Sequence, residues 1–140
     1  MACRYGKGQN SCIKVYNLLR LTEVCIFKVQ VDPLQIFWNE LDDELYVATL
    51  AQSVQVYRIS ENTRVHNIKF EQPIRHARID YRSKKLMVST DRTIFMAQGG
   101  QIVEQLPVPI ADFDFVFPLY GFYFIASRRG VLYWTNNIRF

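Results

Sequence analysis

The sequence predicts an all-β chain built from a strand module that recurs about every 40 residues. Three observations carry this. The chain of 140 residues is 49% apolar and 14% aromatic with only 21% charged residues, so it is neither a disordered segment nor a charged linker. Valine, isoleucine, tyrosine, phenylalanine and threonine dominate its apolar runs, a strand-like composition. Those runs are short, often alternate with polar residues, and are separated by two to six residues rich in turn formers.

Read in order, the strands are expected at Ile13–Leu18, Val24–Val31, Leu34–Trp38, Leu45–Leu50, Ser53–Ile59 and Val65–Phe70. They continue at Ile74–Tyr81, Lys85–Thr90, Thr93–Ala97, Gln101–Leu106, Asp112–Phe117, Phe122–Ser127 and Val131–Thr135, with Ile138–Phe140 opening another. In Val24–Val31, Val24, Ile26, Lys28 and Gln30 share one face and Cys25, Phe27, Val29 and Val31 the other. Breaks fall at Asp32-Pro33, Asp42-Asp43, Ser83-Lys84, Gly99-Gly100, Pro107, Pro118 and Gly121. The best helical stretch, Asn17–Val24, is too short to stand alone.

The module repeats by residue. Leu45-Tyr46-Val47-Ala48-Thr49 returns as Leu86-Met87-Val88-Ser89-Thr90 and as Tyr123-Phe124-Ile125-Ala126-Ser127, at offsets of 41 and then 37 residues. Each copy ends on a small residue followed by Thr or Ser. Each is followed by a strand with a central aromatic: Tyr57, Phe95 and Tyr133. Four strands per unit at this period is the pattern of β-propeller blades of the WD type, here degenerate because the Gly-His and Trp-Asp signatures are absent. Inner strands of a blade meet neighbours on both faces and read as continuous apolar runs, while outer strands alternate.

The expected fold is therefore a partial β-propeller of about three and a half four-stranded blades. A flexible N-terminus covers 1–12 and a propeller segment 13–140, with a partial blade at 13–31 and blades at 34–70, 74–108 and 111–140. A β-sandwich is the alternative, since it too has short strands at regular spacing. Propellers close with four or more blades, so the length predicts part of a longer propeller, or a half completed by another chain.

Few residues point to chemistry. Net charge is +4 and pI about 9.0. No run reaches the roughly 20 apolar residues of a spanning helix, and the polar start has no signal-peptide core. Cys3, Cys12 and Cys25 lack metal-ligand spacing and read as reduced thiols. Gly6-Lys7-Gly8 lacks the complete phosphate-loop pattern. His66 and His76 lie on separate strands without further zinc ligands. The acidic run from Asn39 to Glu44 lacks the oxygen spacing of a calcium loop. Asp80 and Asp114 occupy similar places in successive blades and read as structural or channel-lining. Leu18-Leu19-Arg20-Leu21 lacks an acidic residue next in line for a clathrin-box peptide and reads as core or turn packing.

No metal, cofactor or catalytic residue is expected. The contact residues expected are those of the loops between the second and third strands of each blade: Gln52, Asp91, Arg92, Arg128 and Arg129. The reading is a non-enzymatic protein-interaction scaffold whose partners are protein subunits. The alternative is a nucleic-acid-associated module using Arg75, Arg78, Arg82, Lys84 and Lys85 beside Tyr81, Tyr133 and Trp134.

Val15-Tyr16-Asn17-Leu18, then Leu45-Tyr46-Val47-Ala48, Val54-Gln55-Val56-Tyr57, Ile79-Asp80-Tyr81 and Leu86-Met87-Val88 resemble the N-terminal propeller of the Hermansky–Pudlak syndrome protein 3 family over residues 13–90. The resemblance implies a subunit of a cytoplasmic complex serving trafficking to lysosome-related organelles, peripheral to endosomal membranes through its partners. It also implies a longer protein with helical repeats after the propeller, and carries over no catalytic residues.

Overall fold

The computed structural model describes residues 2–5, 11–39, 42–108, 113–119, 122–130 and 132–135. These residues form an all-β structure with no helix, hence none long and apolar enough to cross a membrane. Among the described residues, fourteen strands make four antiparallel sheets, and each sheet is a simple meander. The chain divides into two compact units, Met1–Lys69 and Phe70–Phe140.

The first unit holds two sheets. One is β1 (Ala2–Tyr5), β2 (Ser11–Asn17) and β3 (Thr22–Val29); the other is β4 (Pro33–Asn39), β5 (Glu44–Thr49), β6 (Ser53–Arg58) and β7 (Thr63–Lys69). In register, Ile13 faces Phe27 and Val15 faces Cys25 across β2 and β3, and Ile36 faces Val47 across β4 and β5. These residues join Val29, Leu45, Tyr57 and Ile59 in one core between the two sheets. The Phe27 and Tyr57 rings meet there with centroids 4.6 Å apart. On the other face of β4 and β5, Phe37 stacks on its register partner Tyr46 at 5.2 Å. The Tyr46 hydroxyl donates to Glu44, which also receives Arg58. Burial and that carboxylate push the Tyr46 hydroxyl far above its ordinary pKa.

The second unit repeats the plan. β8 (His76–Asp80), β9 (Lys85–Ser89), β10 (Thr93–Gln98) and β11 (Gln101–Pro107) form one sheet; β12 (Phe113–Leu119), β13 (Phe122–Ser127) and β14 (Leu132–Thr135) form the other. Met87, Ile94, Met96 and Val108 pack with Val116 and Ile125, flanked by half-buried Leu106 and Tyr123. Gly99 and Gly100 both have positive φ and make the two-residue turn between β10 and β11, the geometry that matches strand twist.

The burial patterns follow the sequence logic. β5, β6, β9 and β10 are buried almost throughout, whereas β3 alternates. The predicted strands from Ile13 to Thr135 are present, with ends that differ by at most two residues. Ile138–Phe140 and Gly6-Lys7-Gly8 lie outside the described residues.

Two expectations change. The segment 1–12, expected to be flexible, contains β1, which pairs with β2 from Ala2 opposite Val15 to Tyr5 opposite Cys12; Ser11 and Cys12 begin β2 itself. Asn17–Val24 forms no helix, as its length led one to expect: residues 18–21 are the turn between β2 and β3, where the Asn17 side chain accepts from Leu19 N and Arg20 N and bends the chain back. Leu18, Leu19 and Leu21 do not pack: they are 60, 98 and 84% exposed.

Candidate functional site

The residues expected to make contacts occupy equivalent places. Gln52 is in the β5–β6 turn, Asp91 and Arg92 are in the β9–β10 turn, and Arg128 and Arg129 are in the β13–β14 turn. Each turn joins the second and third of the four-strand pattern. Gln52 belongs to the first unit and the other four to the second.

A hydroxyl closes each turn, which explains the Thr or Ser that ends every copy of the repeat. Thr49 Oγ1 and Ser53 Oγ lie 2.7 Å apart. The fully buried Thr90 hydroxyl accepts from Thr93 N at 3.2 Å and donates to Gln72 Oε1 at 2.6 Å. Ser127 Oγ accepts from Arg129 N at 3.2 Å. In the second unit the Thr90 and Ser127 hydroxyls satisfy backbone N–H groups that a tight turn leaves without ladder partners, while Thr49 and Ser53 pair with each other across theirs.

The β9–β10 turn is the most elaborated. Arg75 Nε donates to Asp91 Oδ1 at 2.6 Å, and Arg75 N donates to Ser89 O at 2.8 Å. Val108 N donates to Arg92 O at 2.9 Å. The turn therefore receives both the segment before β8 and the segment after β11, which fixes its backbone while Asp91 and Arg92 stay exposed. Arg128 and Arg129 are exposed on their own turn, whose end is set by Gly130 at φ 79°. Gln52 is half-buried with φ 59°, so its backbone shapes the turn. Sequence reasoning misses Gln72 and Arg75 as parts of this turn, because they precede it by more than a dozen residues and carry no local motif.

The other candidates are placed as follows. Asn39 Nδ2 donates to Asp42 Oδ2, and Ser60 N donates to Asp43 Oδ2, so the described part of the acidic run is engaged in turn hydrogen bonds. Asp80 is buried and accepts from Arg82 N, Ser83 Oγ and Tyr123 OH. The side chains of Cys3, Asp112, Asp114, Tyr133 and Trp134 lie outside the described residues. Cys12 and Cys25 are free thiols, and burial raises the Cys25 pKa. Of the basic cluster, Arg75 pairs with Asp91 and Lys85 Nζ with Glu104 at 3.0 Å; the side chains of Arg78, Arg82 and Lys84 are exposed. No group of three or more His, Cys, Asp or Glu converges among the described residues. The arrangement displays charged side chains from fixed turns, which suits recognition of a polar surface.

No family model and no curated protein matches the chain. Solved structures do. The computationally designed Ika4 protein superposes with a TM-score of 0.73 at 12% identity, over 96% of this chain and 84% of Ika4. BBS1N, solved in complex with ARL6DN, superposes with a TM-score of 0.67 at 13% identity, over 94% of this chain. This chain spans about 45% of the length of BBS1N. BBS1N is a propeller-like domain, and at these identities the likeness is one of fold.

Proposed function

We propose that the chain is a segment of a degenerate β-propeller acting as a non-enzymatic protein-interaction scaffold. Its partners are protein subunits of a larger propeller-containing complex, in the cytoplasm and peripheral to endosomal membranes. The observation that carries this reading is the recurrence of one device. Equivalent turns are closed by Thr49, Thr90 and Ser127, and two of them hold the exposed pairs Asp91-Arg92 and Arg128-Arg129. Rigid turns bearing charge lose little entropy when a partner docks. The sheet-by-sheet repeat and the likeness to a propeller-like domain support the propeller. BBS1N was solved in complex with another protein, ARL6DN, and this supports a protein partner for a chain of similar fold. The resemblance to the Hermansky–Pudlak syndrome protein 3 family supports a trafficking role.

Proximity labelling in cells, with the chain fused to a labelling enzyme, tests the reading. The expected result is a discrete set of neighbouring subunits. Arg92→Glu, Arg128→Glu and Arg129→Glu together should remove members of that set with little change in melting temperature, and they leave the Arg75–Asp91 pair intact. The same set labelled by the wild type and the charge-reversed variant would overturn the assignment of these turns. A compact 16.5 kDa monomer in light scattering would count against an incomplete ring.

A further inference from the structure

We infer that the β2–β3 hairpin tip is a membrane-inserting element for an anionic bilayer surface. The proposal stands on the hairpin alone and does not need the scaffold reading.

The tip breaks two local rules at once. Leu18, Leu19 and Leu21 project with 60, 98 and 84% of their surface exposed, and Leu21 holds the left-handed conformation at φ 52°. Among the described residues, four other non-glycine positions have positive φ: Asp43, Gln52, Asn62 and Lys84, all polar. The comparison with the β6–β7 turn is direct. Both turns have four residues between their strands, and both place a left-handed residue last. In β6–β7 that residue is Asn62, the type that tolerates the conformation, and the turn's apolar residue, Ile59, is buried. In β2–β3 the same position is an exposed leucine. A strained backbone carrying an exposed apolar side chain is a place where function overrides local preference.

The leucines are held outward by the backbone. Asn17 Oδ1 accepts from Leu19 N at 3.0 Å and from Arg20 N at 3.1 Å, so the tip is ordered by hydrogen bonds rather than by burial. Apolar surface continues down one side: Val24 and Ile26 are exposed on β3.

Charge selects the occupant. The hairpin from Ser11 to Val29 carries Lys14, Arg20 and Lys28 against Glu23 alone. Glu23 is 3.6 Å from Lys14, which leaves Arg20 in the leucine run and Lys28 higher on the strand to set the sign. Lys14 lies opposite Ile26, about 13 Å from the tip at the ordinary strand rise. Peripheral apolar elements sink about 5–10 Å into the headgroup boundary. Leucines at the tip would then enter the acyl edge while Arg20 reaches back to the anionic headgroups and Lys14 lies just above them. A four-residue tip with three exposed leucines suits a fluid bilayer.

The test is co-sedimentation of the full chain with vesicles of phosphatidylcholine alone, or with about a third phosphatidylserine. The chain is expected to sediment with the anionic vesicles and less with the neutral ones. Leu19→Asn or Leu21→Asn should weaken that binding about tenfold or more. Arg20→Glu should weaken it on anionic vesicles while leaving neutral ones little changed. A Leu19→Trp variant should shift its fluorescence to the blue on anionic vesicles. Both asparagine variants are expected to fold: Leu19 is almost wholly exposed, and asparagine suits the Leu21 backbone. No sedimentation of the wild type with anionic vesicles would overturn the proposal, as would asparagine variants that bind like wild type. Self-association abolished by Leu21→Asn, without vesicle binding, would overturn it in favour of a protein contact.

Discussion

The Tyr123 hydroxyl donates to Asp80 Oδ2 at 3.2 Å and ties β13 to the end of β8. Asp80 is buried and also holds the β8–β9 turn, accepting from Ser83 Oγ at 2.6 Å and Arg82 N at 3.2 Å. One carboxylate thus serves a turn and a neighbouring sheet. Tyr123→Phe removes one hydrogen bond and is expected to cost about 1 kcal/mol. Asp80→Ala strips the acceptor from three donors and is expected to cost roughly 2–3 kcal/mol. Urea unfolding measures both, and the double variant should cost less than the sum because the residues share one bond.

The same pair gives a pH signature. Burial first, then the Asp80 charge, pushes the Tyr123 pKa up to about 12 from 10.0. A group whose pKa rises on folding contributes stability that is complete below its unfolded value. That stability is lost as pH climbs through the folded value. The difference in unfolding free energy between wild type and Tyr123→Phe should be flat below pH 10 and shrink as pH approaches about 12. Tyr46 and Tyr57 are raised too and titrate in both proteins, so the difference isolates Tyr123. A constant difference throughout the alkaline range would contradict the assignment.

The turn hydroxyls make a separate claim. Thr90→Val keeps the shape but removes the acceptor of Thr93 N and the donor to Gln72 Oε1. The expected cost is about 1–2 kcal/mol because the site is fully buried. Amide exchange at Thr93 should accelerate beyond what global destabilisation explains. Arg75→Ala, which breaks an exposed ion pair close by, should cost less than about 1 kcal/mol.

Core packing sets the largest effects. Ile125 is fully buried between Val116 and the β9–β10 methionines and isoleucine of the second unit. Ile125→Ala should cost about 2–5 kcal/mol and Ile125→Val about 1 kcal/mol, read as thermal midpoints. Equal, small losses would mean that the two sheets do not pack as described.

The strands are legible in the sequence because apolar alternation and continuous apolar runs are local signals, and Ala48-Thr49, Ser89-Thr90 and Ala126-Ser127 mark the period. The purpose of those hydroxyls is not legible, since it depends on the backbone of the following turn. β1 is hidden: Ala2–Tyr5 is too short to show alternation, and its pairing with β2 is not written in either segment. The Asp80–Tyr123 bond joins residues in different sheets and leaves no spacing to recognise. The leucine tip escapes sequence reasoning for a general reason. Apolar residues are assigned to the interior by default, and only their exposure in the folded hairpin, whose turn Asn17 orders, shows otherwise.

Leu21 offers the sharpest contrast between stability and use. At φ 52° its side chain crowds the following carbonyl, and its exposed surface gains no packing in return. Leu21→Asn is therefore expected to raise the unfolding free energy by about 0.5–1 kcal/mol, and the reciprocal Asn62→Leu, in the turn of matching length, to lower it by a similar amount. Thermal and urea unfolding of the two variants read this directly. A gain on one turn and a loss on the other would show that Leu21 is kept at a standing cost to the fold. If Leu21→Asn instead destabilises the chain, the leucine is packing against something that stabilises the hairpin, and the tip is a structural feature rather than a projecting one.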